Sequence, residues 1–105
     1  MDWGRVVGFQ WDEGNARRGA DKHDVSQAEA EQVFFNEPLL VVPDPRHSRT
    51  EPRFHALGVT DDGRRLHLTW TLRADGMLIR VISARDTHRR ERQAYEQARS
   101  REEGP

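Results

Sequence analysis

The stretch Leu66-His67-Leu68-Thr69-Trp70-Thr71-Leu72, with Asp75-Gly76 and Met77 to Ile82 behind it, decides the fold. Apolar side chains recur at every second position from Leu66 to Leu72, and His67, Thr69 and Thr71 fill the gaps. That is the period of a strand with one face covered and one uncovered. Asp75-Gly76 is a hairpin signal, because both residue types tolerate positive φ, so Met77–Ile82 is predicted to return antiparallel. Upstream, Arg53–Val59 reads as a further strand, joined through the turn Thr60-Asp61-Asp62-Gly63. Three consecutive strands therefore form a meander, with Trp70 in its core.

Working outward, Leu39–Val42 is an apolar run of strand length, closed by Pro43-Asp44-Pro45 and followed by a polar loop from Arg46 to Thr50. Ahead of it, Ser26 and Glu29 have capping-box spacing, and Val25 can staple onto Ala30. Ala30, Val33 and Phe34 give that helix an apolar face, and Asn36-Glu37-Pro38 ends it. Val6–Trp11 reads as a first strand with Val7, Phe9 and Trp11 on one face. Asp12 then caps a poor helix that reaches Asp24 through Gly14 and Gly19. Past the meander, Ser83 and Asp86 have capping-box spacing, so the final helix is predicted to open at Ser83. It buries Ala84, Tyr95 and Ala98, and residues 102–105 read as a disordered tail. The class is α+β: strand-helix-helix, antiparallel meander, C-terminal helix, in one domain over residues 1–101. Helices on one face are expected to leave the other face open.

Composition narrows the chemistry. There is no cysteine, which excludes disulfides and thiolate metal sites. No apolar run or leader-like segment is visible, so a cytoplasmic protein without a membrane anchor is expected. The net charge of −1 conceals an asymmetry: residues 1–45 carry four basic and nine acidic side chains, residues 46–92 eleven and six. All basic residues but Lys22 are arginine, whose planar fork suits phosphate. An arginine-rich second half fits an anionic ligand such as RNA, and also a merely solvated surface.

Alternation places Glu51, Arg53 and His55 on one face, opposite Phe54 and Ala56. His67, Thr69 and Thr71 join them from the next strand, and Arg80 is a candidate from the last. Arg85 is expected in the first turn of the final helix, where backbone N–H groups help bind anions. Metal-independent RNA cleavage needs a base for the 2′-OH, an acid for the leaving oxygen and cations for the phosphate. Glu51, His55 and His23 are the acid–base candidates; Arg53, Arg80 and Arg85 are the phosphate clamps. The same side chains also read as a solvated cross-strand network, and His67 as structural. The five histidines are scattered without metal-ligand spacing, and no P-loop, dinucleotide fingerprint or nucleophile elbow is present. No metal or cofactor is expected.

These fragments together resemble the BrnT family of bacterial toxins. Phe9-Gln10-Trp11-Asp12 resembles its F-x-W-D opening, and Lys22-His23 before Val25-Ser26 its K-H-G-V-S segment. Val33-Phe34, Pro43–Ser48, Glu51-x-Arg53 and Leu57-Gly58 follow in family order. Ile82-Ser83-Ala84-Arg85, Arg90-Glu91-Arg92 and Tyr95-Glu96 resemble its ending. The resemblance implies a RelE-like ribonuclease fold and the toxin role of a type II toxin–antitoxin pair. It further implies a BrnA-like ribbon-helix-helix antitoxin, with two toxins on an antitoxin dimer and DNA reached only through it. By residue matching it implies functional roles for Lys22, His23, Glu51, Arg53, Arg80 and Arg85. His55 on the open face and Arg89 at the start of the last helix, beside that face, are expected as RNA contacts. The sequence departs from the family where lysine gives way to Asn15, asparagine to Gly19 and glycine to Asp24. The first removes a positive charge expected to face RNA. The alternative function is therefore a weakened or inactive member that acts as an antitoxin-binding module.

Overall fold

The computed structural model describes residues 2–17, 23–47 and 51–103. Its strands are β1 (Gly8–Phe9), β2 (Leu40–Pro43), β3 (Arg53–Val59), β4 (Arg65–Arg73) and β5 (Leu78–Asp86). Its helices are α1 (Gln27–Val33) and α2 (Arg89–Glu103). The sheet order is β1-β5-β4-β3-β2. All neighbours are antiparallel except β1, which runs parallel to β5 and makes the sheet mixed. The architecture is α+β, as the alternation predicts.

The core lies between the sheet and α1. Leu66, Leu68 and Trp70 of β4 are fully buried with Val33, Ala30 and Val25 from the α1 region. The period of two thus puts its apolar row where expected. Ser26 caps α1 with both halves of the capping box: its Oγ accepts from Glu29 N–H, and its own N–H donates to Glu29. Gly58 of β3 is the point of closest approach, since a Cβ there would lie 2.5 Å from Val33 Cγ1. Only glycine lets the β-branched Val33 seat against the strand.

Five expectations are corrected. The final helix does not open at Ser83. Ile82 to Asp86 continue β5, with Asp86, Arg85, Ala84 and Ser83 paired to Leu66, His67, Leu68 and Thr69. A register shift between Thr69 and Trp70 lets β5 carry on. The capping-box cue at Ser83 is local, and a full row of cross-strand bonds outweighs it. The helix begins at Arg89 instead, where Glu91 accepts from His88 N–H at 2.8 Å. Arg85 is therefore a strand residue and not part of the first turn of the helix. The second correction concerns β1, which is far shorter than Val6–Trp11. Val7 points away from the core at 78% exposed. Third, Thr71 is buried, with its hydroxyl bonded to the Pro52 carbonyl. Fourth, the face opposite α1 is not wholly open. Tyr95 of α2 is buried outside the main core, and its hydroxyl donates to Pro38 O at 2.8 Å, so α2 covers one end of that face. The helix runs to Glu103, so Glu102 and Glu103, expected in the tail, are helical, and the last two residues lie outside the described set.

Candidate active site

The face opposite α1 carries polar side chains in rows set by the strand register. Arg53, Thr71 and Arg80 form one row, His55 and Thr69 the next, Leu57, His67 and Arg85 the third. Alternation brings Arg53, His55, His67 and Arg85 to a common face, and the register shift at Thr69/Trp70 brings Arg80, of opposite parity on β5, to the same face. Strand geometry does this without help from loops.

A chain of hydrogen bonds runs through the middle row. Asp44, just past β2, is held by backbone: its N–H donates to Arg53 O, and its carboxylate accepts from Arg46 N–H. Its Oδ2 lies 2.9 Å from His55 Nε2. His55 Nδ1 in turn lies 3.1 Å from His67 Nε2 and 3.4 Å from Thr69 Oγ1. The Asp44 side chain is 9% exposed and that of His55 34%, so the carboxylate is covered and the imidazole reachable. A buried carboxylate fixes the proton on His55 Nε2 and leaves Nδ1 as the nitrogen that faces His67. His67 is more deeply set. Burial pushes its pKa down to about 4, with the nearby Arg85 guanidinium adding to the effect. It is therefore neutral at physiological pH, and its Nδ1 is buried without a partner among the described residues.

That shift makes a stability statement. The folded pKa of His67 lies below the ordinary value of 6.5, so between these two values the unfolded chain binds more protons. The contribution is complete above pH 6.5 and is lost as pH falls toward 4. At roughly 1.4 kcal/mol per pH unit it amounts to at most about 3 kcal/mol. Urea melts at pH 7 and pH 4.5 should show this loss in the wild type and a much smaller one in His67→Asn. Equal losses in both would remove the burial argument.

Arg85 and Arg80 are matched to carboxylates. Arg85 makes a bidentate pair with Glu91 of α2, at 2.8 and 3.0 Å. That contact holds Glu91 down to about 2, against desolvation. Arg80 pairs with both oxygens of Asp12 and with Gln10, and the pair lowers the Asp12 pKa. Glu51 pairs with Arg73. Arg73 lies four residues along β4 from Thr69, the residue opposite His55, roughly 13 Å away, so Glu51 does not join the imidazoles.

The other matched positions separate as well. His23 is exposed, and its carbonyl accepts from Arg64 at 3.1 Å. Arg64 also binds Asp86, Glu29 and the Asp24 carbonyl, so His23 sits at the α1 side of the sheet's end. Lys22 and Gly19 lie outside the described residues. Arg89 is exposed on α2. Asp24 has φ of 53°, a left-handed conformation that aspartate adopts less readily than the glycine of the family pattern. Asn15 does not face solvent. It is 4% exposed, and its amide donates to the Gln10 and Val81 carbonyls, pinning the turn after β1 to β5. Asn15 thus has a structural place in this chain and is no gap in an RNA-facing surface. Sequence reasoning missed Asp44. The one signal for it was its position in an acidic-proline turn directly after a strand.

A small α+β protein with a carboxylate–imidazole–imidazole chain beside guanidinium groups on one sheet face belongs to the class suited to phosphodiester chemistry. Residues 11–91 match the family model for BrnT, the ribonuclease toxin of a type II toxin–antitoxin system. That is most of the chain, and the protein belongs to this family. No curated protein matches it.

Proposed function

We propose that this ribonuclease toxin cuts RNA without a metal ion, by attack of the 2′-OH on the adjacent phosphate, at the sheet face centred on His55. The observation that carries this reading is the Asp44–His55–His67 chain. His55 is reachable, and Asp44 orients it. It exchanges its weak contact with Thr69 and its bond to His67 for the substrate hydroxyl, whose proton passes to Nδ1. His67 stays neutral, so the charge formed on proton uptake is left on the imidazole that faces Asp44. The leaving oxygen, on the far side of the phosphorus from the attacking 2′-oxygen, takes its proton from water, and His55 Nδ1 releases the proton it took to solvent. Arg53, Arg80 and Arg85 hold the phosphate, the last two exchanging carboxylate partners for it. Glu51, His23 and Lys22 keep the functional roles implied by the family resemblance. Among the described residues, no three histidine, aspartate or glutamate side chains are placed to share a metal ion.

The partner reading rests on family membership. A type II toxin is silenced by a protein antitoxin, and we take it to be a BrnA-like ribbon-helix-helix protein that assembles two toxins on its dimer. The fold is read as RelE-like and the site of action as the cytoplasm. Among the described residues no helix is long and apolar enough to cross a membrane. The opposing reading, an inactive antitoxin-binding module, rests on the departures at Asn15, Gly19 and Asp24; of these, Asn15 is a buried amide bonded to the Gln10 and Val81 carbonyls, so it does not count as a cation lost from an exposed surface. The test is direct. The purified chain, freed of antitoxin, is expected to cleave RNA in excess chelator and to leave 2′,3′-cyclic phosphate ends. Cleavage that begins only on adding a divalent ion, or ends without the cyclic phosphate, rejects the mechanism.

A further inference from the structure

Charges on α2 are sorted by side. Glu91 turns inward to Arg85, and Glu96 reaches Arg65 at 2.8 Å and Arg99 at 3.8 Å. Arg89, Arg90, Arg92 and Arg101 turn outward, are exposed, and make no ion pair with any described residue. Between them lie Gln93, Gln97 and Ser100. A shallow hollow of about 600 Å³ follows Arg89, Arg92, Gln93, Glu96 and Gln97. A second, of about 430 Å³, continues it from Glu96 and Gln97 to Ser100 and Arg101. Glu96, the acidic side chain between the two, is already paired with Arg65 and Arg99, so the charge the track offers a ligand is that of its exposed arginines.

This surface has the chemistry of a polyanion site. Among the described residues no apolar side chain lines either of its hollows, whereas protein partners concentrate binding on buried aromatic or aliphatic anchors. It also lacks an aromatic ring to stack a base on, which suits contact with phosphates and not with bases. Its first arginine lies four residues from Arg85, so the track begins where the candidate active site ends. We propose that the outward face of α2 holds the phosphate backbone of the RNA strand whose neighbouring segment lies at His55. This rests on the reading of that face as the cleavage site, and it adds a second, sequence-independent contact that sets the length of RNA the toxin grips.

The test measures binding of a single-stranded 2′-O-methyl RNA oligonucleotide, which has no nucleophile and so reports binding whatever His55 does. Wild type and R89E/R90E/R92E are titrated from 50 to 200 mM salt. The reversal is expected to weaken binding at least tenfold. It should also flatten the plot of log K against log salt by about 2, the slope of three lost phosphate contacts at roughly 0.7 each. R89K/R90K/R92K should keep both affinity and slope. If the reversed chain melts early, R89Q/R90Q/R92Q replaces it, with the same flattening expected. An unchanged slope overturns the proposal. So does a reversed chain that keeps its RNA affinity but no longer co-purifies with its antitoxin, which would assign the face to the protein partner. A flattened slope in a toxin whose His55→Ala variant still cleaves leaves the track standing and rejects only the cleavage site.

Discussion

Replacing His55 with alanine is expected to lower RNA cleavage by roughly 10²- to 10⁴-fold, the usual weight of a positioned acid–base group. The melting temperature should stay within a few degrees. The His55 side chain is a third exposed, and its partners are a backbone-held carboxylate and a second imidazole that both remain in place. Asp44→Asn should fall between wild type and His55→Ala. The amide keeps a hydrogen bond to Nε2 but withdraws the negative charge that favours the imidazolium. Initial rates in chelator, read beside thermal melts, separate the two variants. His55→Ala cleaving within twofold of wild type would move the chemistry elsewhere, with the Arg80–Asp12 edge the first place to look.

Much of this arrangement was legible in the residues, because strand alternation is a long-range rule written locally. Leu66, Leu68 and Trp70 announce a buried row. The register then obliges His67, Thr69 and the odd residues of β3 to share the opposite face. His55 could therefore be placed before any coordinate was known. Arg85 could be named but not located. Ser83 and Asp86 carry a helix-opening cue, and only the length of β4, which needs a partner as far as Leu66, shows that β5 must run through them. Asp44 was illegible for a related reason. It lies eleven residues from His55 in sequence, and its contact exists only once β2 folds back on β3. The separation of Glu51 from the imidazoles was hidden too. Parity tells which face a side chain takes, but not how far along the strand its neighbours lie.

The same alternation supports a larger prediction about stability. Trp70 is fully buried, stacked on Phe54 at 4.8 Å and edge-on to Phe34 at 5.3 Å, with Trp3 beside it. Trp70→Ala should cost about 3–5 kcal/mol, the loss of contacts plus the cavity left behind. Domains of this size hold only about 5–15 kcal/mol in all, so the variant should melt roughly 15–30 °C lower. Trp70→Phe is the informative companion. It removes part of the volume, but it also removes an indole N–H that is buried without a partner among the described residues. An unmet buried donor costs about 1–3 kcal/mol, so its removal offsets much of the lost packing. Denaturant melts should therefore place Trp70→Phe less than halfway from wild type to Trp70→Ala. If the two variants melt together, the indole nitrogen contributes a bond of its own, and the aromatic cluster depends on that bond more than on the volume of the ring.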